Sequence, residues 1–506
     1  MPSSLRAHPP RRVTTAALAA VIGASLMSPA LATAASPDAG FITKAASQLS
    51  PLVAGVDIKP LITVGDTVGG YRFEAIPDGI AVDPRGHTTF DIYVNHETSK
   101  VPFPATLTDF DNAQLSHLVL KRGSGKILSG ELAISSSSNY QRFCSNFFAG
   151  PDQGWDHPLV MTNEETSDFV NRTGDAWPAT TGAEQAGLAV AYDPATGDHR
   201  SIYGLGRMNH ENSVAIPGYS EAVLVTGDDT FAAPSSQLYM YKAADSLGVW
   251  NDSGHLWAFV SADAAINDYG DLTGAASVGG HFIQVPDAIA DGDQTGLETW
   301  SNANNVFQFI RIEDLAYDKN DHHIVYFADT GEPRAIADPA TGRLARGSSS
   351  TRGLYGNGRV FKMVLDDTDP TVVDSLSILI DADAGGYNNA GALHQPDNLE
   401  TTANSILITE DPGAHNRTFA GATNARLWKY DLATGSMTAV AVVADPTADW
   451  ESSGVVDASQ YFGPGAFLIN VQAHTIFVDT APLPSNPTIT QKREGGQLLL
   501  IRIDGA

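Results

Sequence analysis

Carboxylate and amide side chains recur in short runs beside short apolar segments. The clearest runs are Asn209-His210-Glu211-Asn212, Arg311-Ile312-Glu313-Asp314, Pro396-Asp397-Asn398 and Trp450-Glu451. Carboxylates that share one cavity repel each other unless they are protonated or neutralised by cations. Oxygen-rich clusters suit hard ions such as Ca²⁺, Mg²⁺ or Fe³⁺. The runs therefore indicate a metal site, and the competing interpretation is that each acid caps a turn.

Arg311 and Cys144 are two further residues whose side chains could take part in such a site. Arg311 stands two residues before Glu313, so a strand would put both side chains on one face. Arginine cannot itself be a cation ligand. Cys144 is the only cysteine, so it forms no intramolecular disulfide. Its thiol is either buried and inert, a liability, or a group with a function.

A two-part unit repeats along the chain and would position these residues. A short apolar strand ends in polar or acidic residues, and an alternating strand follows it and often runs into a turn. The first parts are Ile92 to Glu97, Leu159 to Glu165, Ala222 to Asp229, Ile324 to Asp329, Ile406 to Asp411 and Phe467 to His474. Two near-identical turns, Tyr192 to Gly197 and Tyr430 to Gly435, indicate hairpins in the second parts.

The repeat predicts an all-β fold, a six-bladed β-propeller with long loop insertions over one face. Several pairs are preceded by a further candidate strand, and with the strand that returns after the turn the unit has the four strands of a propeller blade. The innermost strands of a propeller line its central channel, so the acidic runs at their starts should converge at one mouth. A pair of β-sandwiches is the alternative fold, but a unit spread over the whole chain favours the propeller.

Charge and the N-terminus restrict partners and location. Asp and Glu outnumber Lys and Arg by 58 to 30, and a net charge of −28 argues against nucleic acid or an anionic membrane as partner. Arg6 and the pair Arg11-Arg12 precede an uncharged stretch and small residues up to Ala34. This pattern predicts an export signal peptide at residues 1–34, with a twin-arginine pair. We expect one propeller domain at 35–506, exported to the periplasm or medium as a monomer without an integral membrane segment.

The same segments, in the same order, resemble the PhoX family of bacterial alkaline phosphatases over about residues 75–500. The marks of this resemblance are Val94-Asn95-His96-Glu97, Cys144 before Thr162-Asn163-Glu164-Glu165, Gly206 to Glu211, Arg311 to Asp314, Gln395 to Leu399 before Ile408 to Asp411, and Asn470 to His474. The resemblance implies a secreted six-bladed propeller with a cluster of Fe³⁺ and Ca²⁺ ions. It also implies metal-dependent hydrolysis of small phosphate monoesters.

The resemblance also assigns residues. It makes Cys144 an iron ligand and Arg311 the catalytic residue that contacts phosphate. The matching carboxylate ligands are Glu165, Glu211, Glu313 and Asp397, with Glu164, Glu97 and Asp411 as further candidates. The chain departs from the family after Cys144, where Ser145-Asn146-Phe147-Phe148 replaces a small, Gly-rich stretch.

Two other functions remain open on the residues alone. A calcium-dependent propeller hydrolase of another kind, such as a phytase, phosphodiesterase or lactonase, would need the carboxylates but not Cys144. A non-catalytic propeller stabilised by calcium would bind a partner, its acids would be structural, and Arg311 would be dispensable.

Overall fold

The computed structural model describes residues 40–84, 86–172, 183–230, 236–348, 354–386, 389–411, 423–445, 447 and 449–506. The signal peptide expected at residues 1–34, with Arg11-Arg12, lies outside these ranges. Strands make up 51% and helices 8% of the structure, and Gly40–Ala506 form one compact unit. The prediction of an all-β fold is confirmed.

The strands are short and follow each other closely along the chain. They are β1 (Leu49–Pro51), β2 (Val56–Thr63), β3 (Thr67–Val68), β4 (Tyr71–Arg72), β5 (Pro77–Asp83), β6 (Thr89–His96), β7 (Leu107–Asp109), β8 (Gln114–Lys121), β9 (Ile127–Ile134), β10 (Phe143–Ala149), β11 (Leu159–Glu164), β12 (Phe169–Val170), β13 (Glu184–Gln185), β14 (Ala189–Tyr192), β15 (His199–Ile202), β16 (His210–Ala215) and β17 (Ala222–Asp228). They continue as β18 (Leu238–Ala243), β19 (His255–Ser261), β20 (Ser277–Gln284), β21 (Ile312–Tyr317), β22 (Ile324–Asp329), β23 (Ala335–Ala337), β24 (Leu344–Arg346), β25 (Arg359–Leu365), β26 (Val372–Asp381), β27 (Pro396–Thr401), β28 (Ser405–Glu410), β29 (Arg426–Asp431), β30 (Met437–Val443), β31 (Glu451–Asp457), β32 (Ala466–Leu483) and β33 (Asn486–Ile503).

The helices are few and short: α1 (Ser246–Trp250), α2 (Asp287–Ala290), α3 (Gln294–Ala303) and α4 (Ser459–Phe462). None of the helices in the described ranges has the length and apolar character needed to cross a membrane. Asp245 and Asp293 begin α1 and α3, and the side chain of each accepts a hydrogen bond from a backbone amide of the first turn.

Antiparallel meanders of four strands organise the chain, and we name them units 1 to 6. Their strand orders are β5-β6-β8-β9, β10-β11-β14-β15, β16-β17-β18-β19, β21-β22-β25-β26, β27-β28-β29-β30 and β31-β32-β33-β2. Strand β20 joins units 3 and 4 into a nine-stranded sheet, and β1 extends unit 5. Unit 6 takes its outer strand, β2, from the N-terminal part of the chain, where it pairs with the last strand, β33.

The units follow one another in a closed series. The first strands of neighbouring units are in contact, from β5 to β10, β16, β21, β27 and β31, and β31 returns to β5. Each pair of neighbouring units encloses its own apolar cluster, as with Phe327 and Phe361 of unit 4 against Met240 of unit 3. Burial of one such aromatic side chain stabilises the fold by roughly 1.5–3 kcal/mol. The closing contact has the same character, because Phe90 of unit 1 packs with Leu468 of unit 6.

Candidate metal centre

Every unit contains a β-bulge near the start of its first strand, at the second and third residues in units 1 to 5 and at the fourth and fifth in unit 6. In each unit, two successive residues of the first strand lie opposite a single residue of the second strand and are not paired in register. The skipped pairs are Asp78-Gly79, Cys144-Ser145, Glu211-Asn212, Glu313-Asp314, Asp397-Asn398 and Gly454-Val455. A bulge re-aims the side chain of the extra residue. Because the first strands lie side by side, the first residues of these pairs converge.

The convergence places ligand atoms close together in three overlapping groups. Within each group, these atoms all lie within 4.8 Å of one another. The groups are Asp78 with Glu97 and Cys144, Cys144 with Glu165 and Glu211, and Glu211 with Glu313 and Asp397. Cys144 and Glu211 each belong to two groups, so the three groups form one continuous cluster. The sequence prediction that Glu211, Glu313 and Asp397 come together agrees with this geometry.

A second repeated position completes the cluster. The residue that follows the last paired residue of the second strand is Glu97, Glu165, Asp229, Thr330 or Asp411 in units 1 to 5. Glu97, Glu165 and Asp411 are partly exposed, whereas the bulge residues are buried. The cluster is therefore deep on the bulge side and open on the side of these three carboxylates.

Hydrogen bonds hold the cluster but leave acceptor oxygens for a ligand. Cys144 Sγ donates to Asp78 Oδ2 at 3.0 Å, and Ser145 Oγ donates to Glu211 Oε1 at 2.5 Å. Thr330 Oγ1 donates to Glu313 Oε1 at 2.5 Å. The other carboxylate oxygen of Glu211, Oε2, is buried and has no hydrogen-bond partner among the residues that the structure describes. A buried carboxylate oxygen without a donor is costly in a metal-free site and favourable in one that holds a cation.

Glu164 lies outside the three groups because strand alternation turns it away from Glu165. It pairs across the strands with Phe143, and both of its carboxylate oxygens accept hydrogen bonds from Arg172 at 2.7 Å. It also accepts a hydrogen bond from the backbone amide of Gln141 at 2.8 Å. Glu164 therefore anchors the chain just before Cys144 and does not face the cluster.

Arg311 is buried beside the cluster and already engages carboxylates. Its Nε and Nη2 donate to the two carboxylate oxygens of Asp229 at 2.8 and 2.6 Å. Nη2 also lies 3.2 Å from Glu313 Oε1. Arg311 thus provides a fixed positive charge next to Glu313.

Burial and mutual repulsion disfavour the ionised forms of these groups. Burial and the charge of Glu97 raise the pKa of Asp78 to about 7, and burial with Glu97 and Glu313 raises the pKa of Glu165 to about 8. For Glu211, Glu313 and Asp397, burial is again the largest cause and the pKa lies well above its usual range. Burial and the charge of Asp78 also raise the pKa of the Cys144 thiol. Bound cations would reverse all of these shifts.

Comparison with solved structures reveals a similar fold. The structure of Pseudomonas fluorescens PhoX in complex with vanadate, a transition-state analogue, matches with a TM-score of 0.59 at 15% identity, covering 92% of this chain and 98% of that one. The fold is PhoX-like. A protein of unknown function from Dyadobacter fermentans matches with a TM-score of 0.41 at 10% identity, covering 89% of this chain and 100% of its own. No protein-family model and no curated protein matches the sequence.

The donor set of the cluster fits metal ions. Carboxylate oxygens dominate it, as hard ions such as Ca²⁺ and Fe³⁺ require, and the thiol of Cys144 adds one site that suits a transition metal. A bound cation would give Glu211 Oε2, which has no hydrogen-bond partner among the described residues, an interaction partner, and it would reduce the repulsion between the crowded carboxylates. The expected ligands Glu97, Cys144, Glu165, Glu211, Glu313 and Asp397 all belong to the three groups. Asp411 is not in the three groups, but its charge raises the pKa of Glu313 and of Asp397.

Two carboxylates at the repeated positions were not among the expected ligands. Asp78 occupies the bulge position of unit 1, and Asp229 follows the second strand of unit 3. The signal that marked Glu211 and Asp397, an acid at the start of a first strand, also applies to Asp78. The signal that marked Asp411, an acid just after a second strand, also applies to Asp229.

The metal-free protein should lose stability as pH rises. Asp78 and Glu165 keep their protons to about pH 7 and 8 in the folded state, whereas the unfolded chain releases them near pH ~4. Between these values the unfolded chain binds fewer protons, so the free energy of unfolding falls from about pH 4 to about pH 8. Urea unfolding of chelator-treated protein at pH 5 and pH 8 measures this difference. Added Ca²⁺ should abolish it, and equal metal-free stability at both pH values would contradict it.

The neighbours Glu164 and Glu165 should respond oppositely to the same substitution. Glu164→Gln breaks a buried ion pair with Arg172 and should lower the free energy of unfolding by about 3 kcal/mol with metal content unchanged. Glu165→Gln should lower metal content without destabilising the metal-free protein. Urea unfolding and elemental analysis of both variants check this, and metal loss in Glu164→Gln alone would reverse the assignment.

Proposed function

We propose that this protein is an exported, metal-dependent phosphomonoester hydrolase, and that units 1 to 6 are the blades of one six-bladed propeller. The observation that carries the proposal is the cluster that Cys144 and Glu211 join together, in which Glu211 Oε2 is buried and has no hydrogen-bond partner within the described ranges. It is supported by the likeness of the fold to PhoX, whose structure contains a transition-state analogue. The signal peptide at residues 1–34 and a monomeric mature chain are parts of this proposal.

The proposed metal ligands divide by chemistry. Fe³⁺ would be held where Cys144 meets Glu165 and Glu211, because iron accepts sulfur and oxygen together. Ca²⁺ would be held by oxygen ligands, with Glu97, Glu313, Asp397 and Asp411 as candidates. Such ions bind phosphate oxygens, offset negative charge in the transition state and lower the pKa of water.

The chain's own residues position the substrate and its charge. Arg311, fixed by Asp229 next to Glu313, is the proposed catalytic and substrate-binding arginine, because it keeps a positive charge where a phosphate group would sit. A preorganised charge in a buried site stabilises the transition state more than a charge in water. Ser145 and Thr330 hold Glu211 and Glu313 through their hydroxyl groups and so fix the orientation of both carboxylates.

Metal analysis combined with a substrate panel tests the proposal. We expect the purified mature chain to contain iron and calcium, to hydrolyse p-nitrophenyl phosphate, and to lose this activity on chelation and regain it with both metals. Bis-p-nitrophenyl phosphate, phytate and lactones should be poor substrates. Hydrolysis of one of these in preference to monoesters would support a calcium-dependent hydrolase of another kind. Bound calcium without hydrolysis of any of them would support the non-catalytic alternative.

A further inference from the structure

Arg142 lies at the open edge of the carboxylate cluster. Its guanidinium Nη1 is 3.8 Å from Glu97 Oε1, and its backbone carbonyl accepts a hydrogen bond from the amide of Glu165 at 2.9 Å. Glu97 and Glu165 are two of the carboxylates that face outward from the cluster. Arg142 therefore carries a positive charge on the side from which a substrate would enter.

Arg142 occupies the same register position in unit 2 as Arg311 does in unit 4. Each directly precedes the first strand of its unit. The backbone carbonyl of Arg142 accepts a hydrogen bond from the amide of Glu165, and that of Arg311 accepts one from the amide of Thr330, both at 2.9 Å. Glu165 and Thr330 each stand just after the second strand of their unit. Ile76 and Gln395 hold this position in units 1 and 5, and both share the left-handed backbone of Arg142, with φ of 43° and 53° against 46°. The repeat thus delivers two arginines to equivalent places around one cluster.

The two arginines differ in what their side chains bind. Arg311 donates through Nε and Nη2 to Asp229. Within the described part of the chain, the guanidinium of Arg142 makes no hydrogen bond, because 3.8 Å to Glu97 is too long for one. The side chain of Arg142 is 23% exposed. A planar fork with open donors beside the carboxylate cluster matches the geometry in which arginine holds two phosphate oxygens.

The aromatic ring of Phe103 lies next to this fork. The Arg142 guanidinium carbon is 5.4 Å from the centre of the ring, and Phe103 is 73% exposed. The loop that carries Phe103 is fixed by a hydrogen bond from its amide to Leu107 O at 3.0 Å and by the pairing of β7 with β33. An exposed ring alone needs no explanation. This ring, however, supports a cation at the open edge of the site and leaves most of its surface for a second planar group.

We propose that Arg142 and Phe103 form a substrate clamp that selects phosphomonoesters whose alcohol carries a planar ring, such as aryl phosphates. Arg142 binds the phosphate oxygens, and Phe103 stacks on the ring of the leaving group. The inference rests on the proposed function, since it names the substrate class of the same site. Offset or edge-to-face ring contacts favour aromatic over aliphatic esters by a modest factor, while the charge of Arg142 acts on both.

Binding of two non-hydrolysable probes to the metal-loaded protein separates these roles. Calorimetry with phenylphosphonate and methylphosphonate should show Phe103→Ala weakening phenylphosphonate binding about fivefold with methylphosphonate binding unchanged. Phe103→Leu, which keeps apolar bulk without the ring, should lose most of the same preference. Arg142→Met, which keeps the apolar stem, should weaken both probes about tenfold. The control is Arg200→Met, because Arg200 stacks on Trp250 from β15, the outermost strand of unit 2, and should change neither affinity.

The outcomes distinguish the clamp from the proposed function. Equal weakening of both probes by Phe103→Ala, or unchanged binding in Arg142→Met, overturns the clamp. The ratio of kcat/KM for phenyl phosphate to that for glycerol phosphate should fall in Phe103→Ala in parallel with the phenylphosphonate affinity. If the wild-type protein hydrolyses neither ester, the proposed function fails, and the phosphonate affinities still decide whether the clamp exists.

Discussion

Glutamine at position 211 is expected to reduce phosphomonoester hydrolysis by at least about 10³-fold, because Glu211 contributes ligand atoms to two of the three groups in the cluster. If the proposed metal ions are bound, loss of a ligand that serves two of them would remove several kcal/mol of transition-state stabilisation, and each ~1.4 kcal/mol is tenfold in rate. Glutamine keeps the size of the side chain and can still accept the hydrogen bond from Ser145. Steady-state kinetics and elemental analysis of Glu211→Gln measure the two losses.

The metal-free form of the same variant separates a ligand from a structural acid. Burial and the charges of Glu313 and Glu165 raise the pKa of Glu211 well above its usual range, so the charged form is unfavourable in the metal-free fold. Glu211→Gln should therefore be at least as stable as wild type at pH 8 without metals, and less stable than wild type with them. Glu400→Gln is the control, since Glu400 pairs with Lys319 at 3.2 Å and should leave metal content unchanged. A large stability loss in metal-free Glu211→Gln would contradict a ligand role.

The sequence alone predicted which acidic residues stand at the starts of the first strands. Glu211, Glu313 and Asp397 each stand in a polar run beside an apolar segment, and the repeat of that pattern predicted their meeting. The structure adds the reason, which is a β-bulge at the second and third residues of the first strand in units 1 to 5. Asp78 belongs to the same position and could have been found by the same rule. Unit 6 departs from it, because Gly454 occupies the bulge with φ 57° and its missing side chain avoids the carbonyl oxygen of Asp78.

Other features depended on contacts that pattern alone does not encode. Glu164 and Glu165 are chemically alike and adjacent, and only the register of β11 against β10 decides which of them faces the cluster. The bidentate partner of Arg311, Asp229, stands 82 positions away in sequence. The left-handed backbone of Arg142 has no sequence signal, because left-handed conformations are usually taken by glycine or asparagine. Long-range partners and register therefore limited the sequence prediction more than residue type did.

The protonation and ligand role of Cys144 distinguish a transition metal from calcium in this site. In the metal-free fold, burial and Asp78 raise the pKa of its thiol, and Sγ donates a hydrogen bond to Asp78 at 3.0 Å. A bound metal would deprotonate the thiol and make sulfur a ligand. Ca²⁺ prefers oxygen, so a thiolate in this cluster indicates a transition metal, and a ferric thiolate should colour the protein by charge transfer.

Serine at position 144 should remove the colour, most of the iron and most of the activity while the fold persists. The serine hydroxyl can still donate to Asp78, and the six apolar clusters between units do not depend on the thiol. Cys144→Ala removes that donor as well, so it should match Cys144→Ser in colour and iron but be less stable when metal-free. Visible absorption, elemental analysis and urea unfolding of both variants check these expectations. A colourless, iron-free wild-type protein that still cleaves phosphate monoesters would leave Cys144 a buried thiol beside a calcium-only site, because oxygen ligands alone would then account for the chemistry.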